Sequence, residues 1–250
     1  GSGRHSHLSN SEKEPHHWRV FMTRSVDQFE INEEKEFRRF VDPEELSKES
    51  DDVVKSGDTV TLGENHPTVT FRHVSRNDDT RTMISTMLPE TGFVHCGGYV
   101  HAVDHQPDTD TEELLALLAY FNSFTCDWWA RRIVDRHVTS PAINNLPIPE
   151  WNGEQISRAA NLAAELTRRG GIDTLPGGRT VPSDTGYDDA DRDEIIAQIE
   201  SVVAKGFELK REELDTVLRD FSKKACSDDL RDRIRTLVES GTSDAATAEQ

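Results

Sequence analysis

Hydrophobic and polar positions alternate with a period of two over residues 68–73, which favours a strand. Val69, Phe71 and His73 alternate with Thr68 and Thr70 in a segment of β-branched character. The segments 18–22 and 92–101 predict further strands, the second with a bend at its paired glycines 97–98, and the segment 81–88 is also apolar. Residues 77–80 form a polar turn, and the charged stretch 41–58 predicts a solvated loop or a weak helix.

A helical period replaces the alternation from residue 109 onward. Apolar positions from Leu114 to Ile133 predict one long helix with a basic end, after which prolines at 141, 147 and 149 prevent further helix. Further helices are predicted over 152–169, 191–205, from about 210, and over 228–239. We therefore expect an α+β protein, in which a mixed strand-and-helix domain precedes a helical C-terminal appendage. The predicted boundaries are 1–17 for a disordered or truncated lead-in, 18–150, 151–240, and 241–250 for a polar tail.

The charge of the chain is strongly acidic, with 47 acidic and 29 basic residues and a formal net charge of −18. Only eight of the basic residues are lysine, and this Asp-rich, Lys-poor composition is typical of proteins from salt-accumulating microbes, although an acidic protein of ordinary habitat would also fit. A charge of this sign normally argues against a nucleic-acid partner. In molar salt the Debye length is about 3 Å, so the net charge then excludes little.

The cysteines and the hydropathy predict a cytoplasmic protein without a membrane partner. Cys96, Cys126 and Cys226 are isolated, so no disulfide framework is indicated. No apolar run approaches the roughly 18 residues of a membrane helix, and no signal peptide is visible.

Catalytic motifs are missing from the sequence. There is no glycine-rich cofactor turn, no Walker loop and no nuclease core, and the pair Asn144-Asn145 is followed by Leu146-Pro147 rather than by the Pro-Pro-aromatic loop of an adenine methyltransferase. A group of His95, Cys96, His101 and His105 matches no standard zinc spacing. We therefore expect no catalytic residue, no metal and no cofactor in this chain.

Two basic segments are candidates for DNA binding. The first is a strand-to-turn segment with Arg72, Arg76, Asn77 and Arg81, whose guanidinium and amide groups could hold phosphates or base edges. A local ion-pair cluster of Arg76 and Arg81 with acidic residues 78 and 79 is the alternative.

The second segment is the basic end of the long helix and the loop beyond it. Its candidates are Arg132, Arg136, His137 and Asn144. The arginines could instead serve only the helix dipole, and the pair Trp128-Trp129 suits a core better than a base-stacking platform.

Together with a helix pair over 191–221, these segments resemble the C-terminal, TaqI-like specificity region of type IIG restriction–modification proteins and related N6-adenine methyltransferases. The resemblance covers roughly residues 18–225 and rests on the segments Arg72–Pro89, Leu114–Ser123, Arg131–Pro149 and Val203–Phe221. The sequence departs from the family pattern in its linker, Gly206-Phe207-Glu208-Leu209, and in its turn, Asn77-Asp78-Asp79.

The resemblance implies that the chain recognises double-stranded DNA for an upstream methyltransferase domain or subunit. That upstream part would bind S-adenosylmethionine and flip the target adenine, and the parent protein would methylate a specific site with or without cleaving DNA. Two alternatives stay open: a non-catalytic protein-interaction module of a phage-defence complex, and a decayed fragment of such an enzyme.

Overall fold

In a computed structural model of the chain, short strands lie in the first hundred residues and helices dominate the remainder, which confirms the α+β class. The structure describes residues 18–32, 39–42, 53–56, 59–62, 66–90, 92–95, 97–100 and 107–247. The predicted lead-in over 1–17 lies outside these residues, as do Cys96, His101 and His105.

The described strands form two three-stranded sheets and three two-stranded hairpins. They are β1 (Trp18–Met22), β2 (Val26–Asp27), β3 (Glu30–Ile31), β4 (Arg39–Val41), β5 (Val53–Ser56), β6 (Thr59–Leu62), β7 (Val69–Arg72), β8 (Ser85–Met87), β9 (Gly92–His95), β10 (Gly97–Val100), β11 (Thr174–Leu175) and β12 (Arg179–Thr180). In the first sheet β1 runs antiparallel to β4 and parallel to β9. In the second sheet β7 lies between β10 and β8, antiparallel to both. The hairpins are β2-β3, β5-β6 and β11-β12.

Two strand predictions need correction. The stretch 41–58, expected to be a loop or a weak helix, contains the end of β4 and all of β5, because β5 pairs with β6 in a hairpin. The single strand expected over 92–101 is divided into β9 and β10, which belong to different sheets. In β10, the Cβ of a side chain at Gly98 would lie 1.9 Å from the Phe71 ring, so β7 and β10 approach closely only because this residue is glycine.

Seven helices follow in the described chain. They are α1 (Pro107–Phe121), α2 (Phe124–Ile133), α3 (Ser140–Asn144), α4 (Gly153–Arg169), α5 (Arg192–Gly206), α6 (Arg211–Arg219) and α7 (Asp228–Thr247).

The long helix expected over 109–133 is broken at Asn122 and Ser123. The Asn122 amide accepts a hydrogen bond from the backbone N–H of Ser85 and donates one to the carbonyl of the same residue, which ties this point to β8. The Ser123 hydroxyl accepts the N–H of Cys126 and so caps α2. Two polar side chains therefore end one helix and begin the next.

Two further helix expectations change. Pro141 does not exclude helix, because it occupies the first turn of α3, where a missing N–H costs nothing. The tail expected over 241–250 is helical up to Thr247, since α7 continues eight residues beyond the predicted end at 239.

The hydrophobic core continues across residue 150, where a domain boundary was expected. One buried cluster joins β7, β8 and α1 to α4 and α5, and a second joins α2 and α5 to α6 and α7. The indole N–H of Trp151 donates to the carbonyl of Val202, and the ring lies against Gly206, the first residue of the linker 206–209. The helical C-terminal region therefore shares buried contacts with the strand-bearing region.

Candidate functional site

Backbone pairing brings the two basic segments together. Val74 and His137 form an isolated antiparallel bridge, Ser75 N–H donates to the Arg136 carbonyl at 3.3 Å, and Val138 N–H donates to the His73 carbonyl at 2.8 Å. Residues 73–80 and 132–138, which were separate candidates in the sequence, therefore share one face of the molecule. We call this face the paired-loop surface.

The turn of the paired-loop surface is fixed by hydrogen bonds from both sides. Nη2 of Arg131, in the last turn of α2, donates to the carbonyls of Asp79 and Thr80 at 2.6 and 2.9 Å. Within the turn, Arg76 N–H donates to the Asp79 carboxylate, and the Thr82 hydroxyl donates to the Arg76 carbonyl. The turn is therefore held in one shape before any partner arrives.

Arg81 lies inside the protein, only 8% exposed, and not on the exposed turn, where the sequence suggested a DNA contact. Its Nε donates to Asp127 at 2.5 Å, and its Nη2 donates to the carbonyls of Asn122 and Ser123. Its guanidinium also stacks over the Phe124 ring at 4.4 Å. The alternative of an ion pair with the neighbouring acids at 78 and 79 is not realised either, because its carboxylate partner comes from α2, 46 residues away.

Asp127 is the centre of this buried arrangement. Its side chain is fully buried and accepts the backbone N–H groups of Thr82 and Met83 in addition to Arg81. Nε of Arg131 lies 3.5 Å from the same carboxylate. The Asp127 carboxylate thus contacts both Arg81, which follows the turn, and Arg131, which donates to the carbonyls of the turn.

Arg72 is also committed to an internal contact. Its guanidinium donates to the carbonyl of Val26 and to the carboxylate of Asp27, both in β2. It lines a polar cleft of about 540 Å³ beside the turn, together with Arg192, Lys224 and Asp79. Charges of both signs line this cleft, so it is not a simple anion site.

Five of the predicted residues are exposed on the paired-loop surface: Arg76, Asn77, Arg132, Arg136 and His137. The Arg136 side chain is 73% exposed, and its nearest described carboxylate, on Asp135, is 3.9 Å away and itself almost fully solvated. The His137 ring lies against the His73 ring at 5.0 Å between centroids. Such an exposed ion pair contributes little, so the Arg136 guanidinium is free to exchange it for another anion.

Arg132 is at the helical end of this surface, and Asn144 lies outside the residues that define it. Arg132 stacks on Trp128 at 3.3 Å and pairs with Asp220 of the segment after α6 at 2.8 Å. Asn144 is the exposed last residue of α3. The structure thus places five of the eight candidates on the paired-loop surface, Arg72 and Arg81 in internal contacts, and Asn144 on α3 outside that surface.

Sequence reasoning missed two features of the site. One is the buried acids Asp127 and Glu200. Glu200, in α5, accepts the N–H groups of Phe124 and Thr125 and so caps α2 from the helical region. An acid within an otherwise apolar helical stretch was the available signal for both. The second is the exposure of Trp129, at 40%, since the tryptophan pair was assigned to the core; only Trp128 packs there.

Burial controls the titration of three groups near α2. Burial raises the pKa of Glu200 above its ordinary value, although hydrogen bonds from Thr125 and Phe124 and the charge of Arg81 act in the opposite direction. Burial likewise raises the pKa of Cys126 far above that of a free thiol and that of Cys226 to about 11. Both cysteines are therefore protonated near neutral pH and are poor nucleophiles.

In the described part of the chain, no group of three or more His, Cys, Asp or Glu side chains is arranged to hold a metal ion. No helix among the described residues has both the length and the apolar character that crossing a bilayer requires.

Comparison with protein-family models, with curated proteins and with solved structures finds no match to this chain. The function must therefore be argued from the geometry of the paired-loop surface.

Proposed function

We propose that this chain recognises double-stranded DNA through the paired-loop surface, as the specificity portion of a restriction–modification adenine methyltransferase. The single observation that supports this most strongly is the pairing of residues 73–75 with 136–138. It places Arg76 and Asn77 from one segment beside Arg136 and His137 from the other. These are the donor groups that DNA-reading proteins present to phosphates and base edges.

The buried ion pair under the surface fits this role. Because Asp127 and Arg131 fix the turn, the exposed side chains project from a rigid base, and less conformational entropy is lost on binding. Arg76 and Asn77 are the proposed base-reading residues, and Arg136 and His137 are the proposed phosphate contacts. Arg132 lies at the helical end of the surface, and Asn144 lies on α3, outside the residues that define it. Arg72 and Arg81 support the surface from within.

In this function the chain itself catalyses no reaction. S-adenosylmethionine would bind to the upstream methyltransferase domain or subunit, which would also hold the flipped adenine. The part proposed here is the choice of site: phosphate contacts set the register of the duplex, and a small number of side chains read bases.

The test is the DNA affinity of the full chain, measured by fluorescence anisotropy with a labelled duplex of randomised sequence at one fixed KCl concentration. Arg76→Ala and Arg136→Ala should each lower the affinity by about 5- to 150-fold, the range for an arginine that contacts a base or a phosphate. Arg158→Ala is the matched control, because Arg158 is also an exposed arginine, lies on α4 outside the paired-loop surface, and donates a hydrogen bond to Gln198. Wild-type affinity in both surface variants, at unchanged melting temperature, would contradict the proposal.

A further inference from the structure

Phe221, in the segment after α6, contacts both arginines that lie beside the turn of the paired-loop surface. Its ring is buried, and the guanidinium carbons of Arg131 and Arg81 lie 4.6 and 5.6 Å from the ring centroid. The ring also packs edge-on against Phe124, with 5.0 Å between the two centroids. One side chain of the helical C-terminal region therefore contacts the two arginines that are linked to the turn through Asp127.

The ring restricts a motion that hydrogen bonds do not. Nη2 of Arg131 donates to the carbonyls of Asp79 and Thr80, and its Nε lies 3.5 Å from the Asp127 carboxylate. These contacts lie near the plane of the guanidinium, because all its N–H groups point outward in that plane. An aromatic ring packed against a guanidinium opposes its movement out of the plane. Phe221 therefore completes the support of Arg131.

The last helices in turn hold Phe221 in place. Nη2 of Arg231, in α7, donates to the Phe221 carbonyl at 2.5 Å. The preceding residue, Asp220, binds Arg132 at 2.8 Å, at the helical end of the paired-loop surface. Phe221 also belongs to the buried cluster that includes Leu230 of α7. A continuous series of contacts therefore runs from α7 through Phe221 to the exposed turn.

We propose that Phe221 is a positioning residue for the exposed turn: it holds Arg131 and Arg81, and these arginines hold the turn in the shape that reads DNA. The helical C-terminal region would then contribute to recognition from inside the protein. The effect of Phe221 on the turn follows from these contacts alone. Its effect on DNA binding rests on the proposed function.

Hydrogen–deuterium exchange of the full chain tests the effect on the turn. The reporters are the backbone amides of Asp79, Thr82 and Met83, which donate to Arg76 or to Asp127. Phe221→Leu keeps an apolar side chain but removes the ring, and it should accelerate the exchange of these amides by about tenfold through local opening. Phe221→Tyr keeps the ring and should restore most of the protection. If Phe221→Leu folds poorly, Phe221→Met is the substitute.

Leu230→Ala is the matched control for a general loss of core packing. Leu230 is buried in the same cluster but offers no aromatic ring to a guanidinium. Amides that exchange by local opening do not respond to a change in global stability, so this variant should leave the three reporter amides unchanged.

DNA affinity tests the consequence for recognition. In the anisotropy assay, between about 0.1 and 1 M KCl, Phe221→Leu should lower the affinity by about three- to tenfold. It should leave the slope of log affinity against log salt unchanged, because no phosphate contact is lost, whereas Arg136→Ala should make that slope shallower by about one unit. If Phe221 acts through Arg131, Phe221→Leu should change the affinity by less than about twofold in an Arg131→Met background.

The outcomes separate this inference from the proposed function. If the wild-type chain does not bind the duplex at low salt, the proposed function fails, and the exchange data still decide whether Phe221 holds the turn. Reporter amides that exchange alike in Phe221→Leu and wild type, or are accelerated equally in Phe221→Leu and Leu230→Ala, would overturn the positioning of the turn. If the wild type binds DNA and Phe221→Leu binds it equally well, Phe221 does not position the turn for recognition.

Discussion

Replacing Asp127 by Asn should destabilise the protein severely, although the two side chains have nearly the same shape. The change removes a fully buried negative charge that pairs with Arg81 at 2.5 Å and accepts two backbone N–H groups. Arg81 is only 8% exposed, so its charge would stay buried without a carboxylate, beside two backbone carbonyls and two aromatic rings. Breaking a buried pair in this way costs about 3–5 kcal/mol. Since domains are typically stable by about 5–15 kcal/mol, this loss is a large fraction of the total.

The measurement is thermal unfolding followed by circular dichroism at fixed salt. For a chain of this size about 3–5 kcal/mol corresponds to a melting temperature lowered by roughly 6–20 °C. Asp135→Asn is the matched control, because its side chain is 91% exposed and its only described ion pair, with Arg136, is 3.9 Å long. That control should change the free energy of unfolding by less than about 0.5 kcal/mol. If Asp127→Asn melted within about 2 °C of the wild type, the buried pair would not stabilise the fold as argued here.

Two further variants test the contacts between the strand-bearing and helical regions. Burial holds the pKa of Glu200 above its ordinary value, so the native state keeps a proton that the unfolded chain loses. The resulting contribution to stability is complete below the ordinary Glu pKa and is lost as pH rises through the raised value. In urea titrations across pH, the unfolding free energy of the wild type minus that of Glu200→Gln should therefore increase as pH falls, and a difference independent of pH would refute the assignment. Gly206→Ala would place a Cβ 2.4 Å from the Trp151 indole nitrogen, which should lower the free energy of unfolding by about 1–3 kcal/mol and alter the tryptophan fluorescence. The control Gly153→Ala meets nothing within 4 Å, so it should be neutral or slightly stabilising. Equal stability of the two glycine variants would contradict the close packing of Trp151.

The periodic parts of the fold could be predicted from the sequence because local patterns determine them. The helices over 153–169 and 192–206 begin at Asn152 and Asp191, whose side chains accept N–H groups of the first turn, and their apolar faces repeat at helical spacing. The break between α1 and α2 could not be predicted in the same way. The apolar period continues through it, and the Asn122 amide that stabilises the break bonds to a strand 37 residues earlier in the chain. Tertiary hydrogen bonding overrode a strong local helical pattern.

The same limit applied to the candidate site. Arg72, Arg76 and Arg81 look equivalent in the sequence, since each belongs to one basic strand-to-turn segment. Their partners differ: Arg72 binds Asp27, Arg81 binds Asp127, and Arg76 projects into solvent. Asp27 and Asp127 lie 45 and 46 residues away from the arginines that they bind. No local sequence pattern could therefore distinguish the buried arginines from the exposed Arg76.

Arg81 is held inside the protein and Arg76 is exposed, so substitutions near them would affect DNA binding in different ways. The carboxylate that neutralises Arg81 also lies beside Arg131, and Arg131 binds the two carbonyls at the end of the exposed turn. A change at Asp127 therefore reaches the turn through two side chains, while a change at Arg76 affects only the contact that Arg76 itself makes. If the paired-loop surface binds DNA, Asp127→Asn should weaken binding even at temperatures where the protein stays folded, because a mobile turn must be ordered again on binding. The exposed arginines would then determine what is bound, and the buried pair would determine how much conformational freedom is lost in binding it.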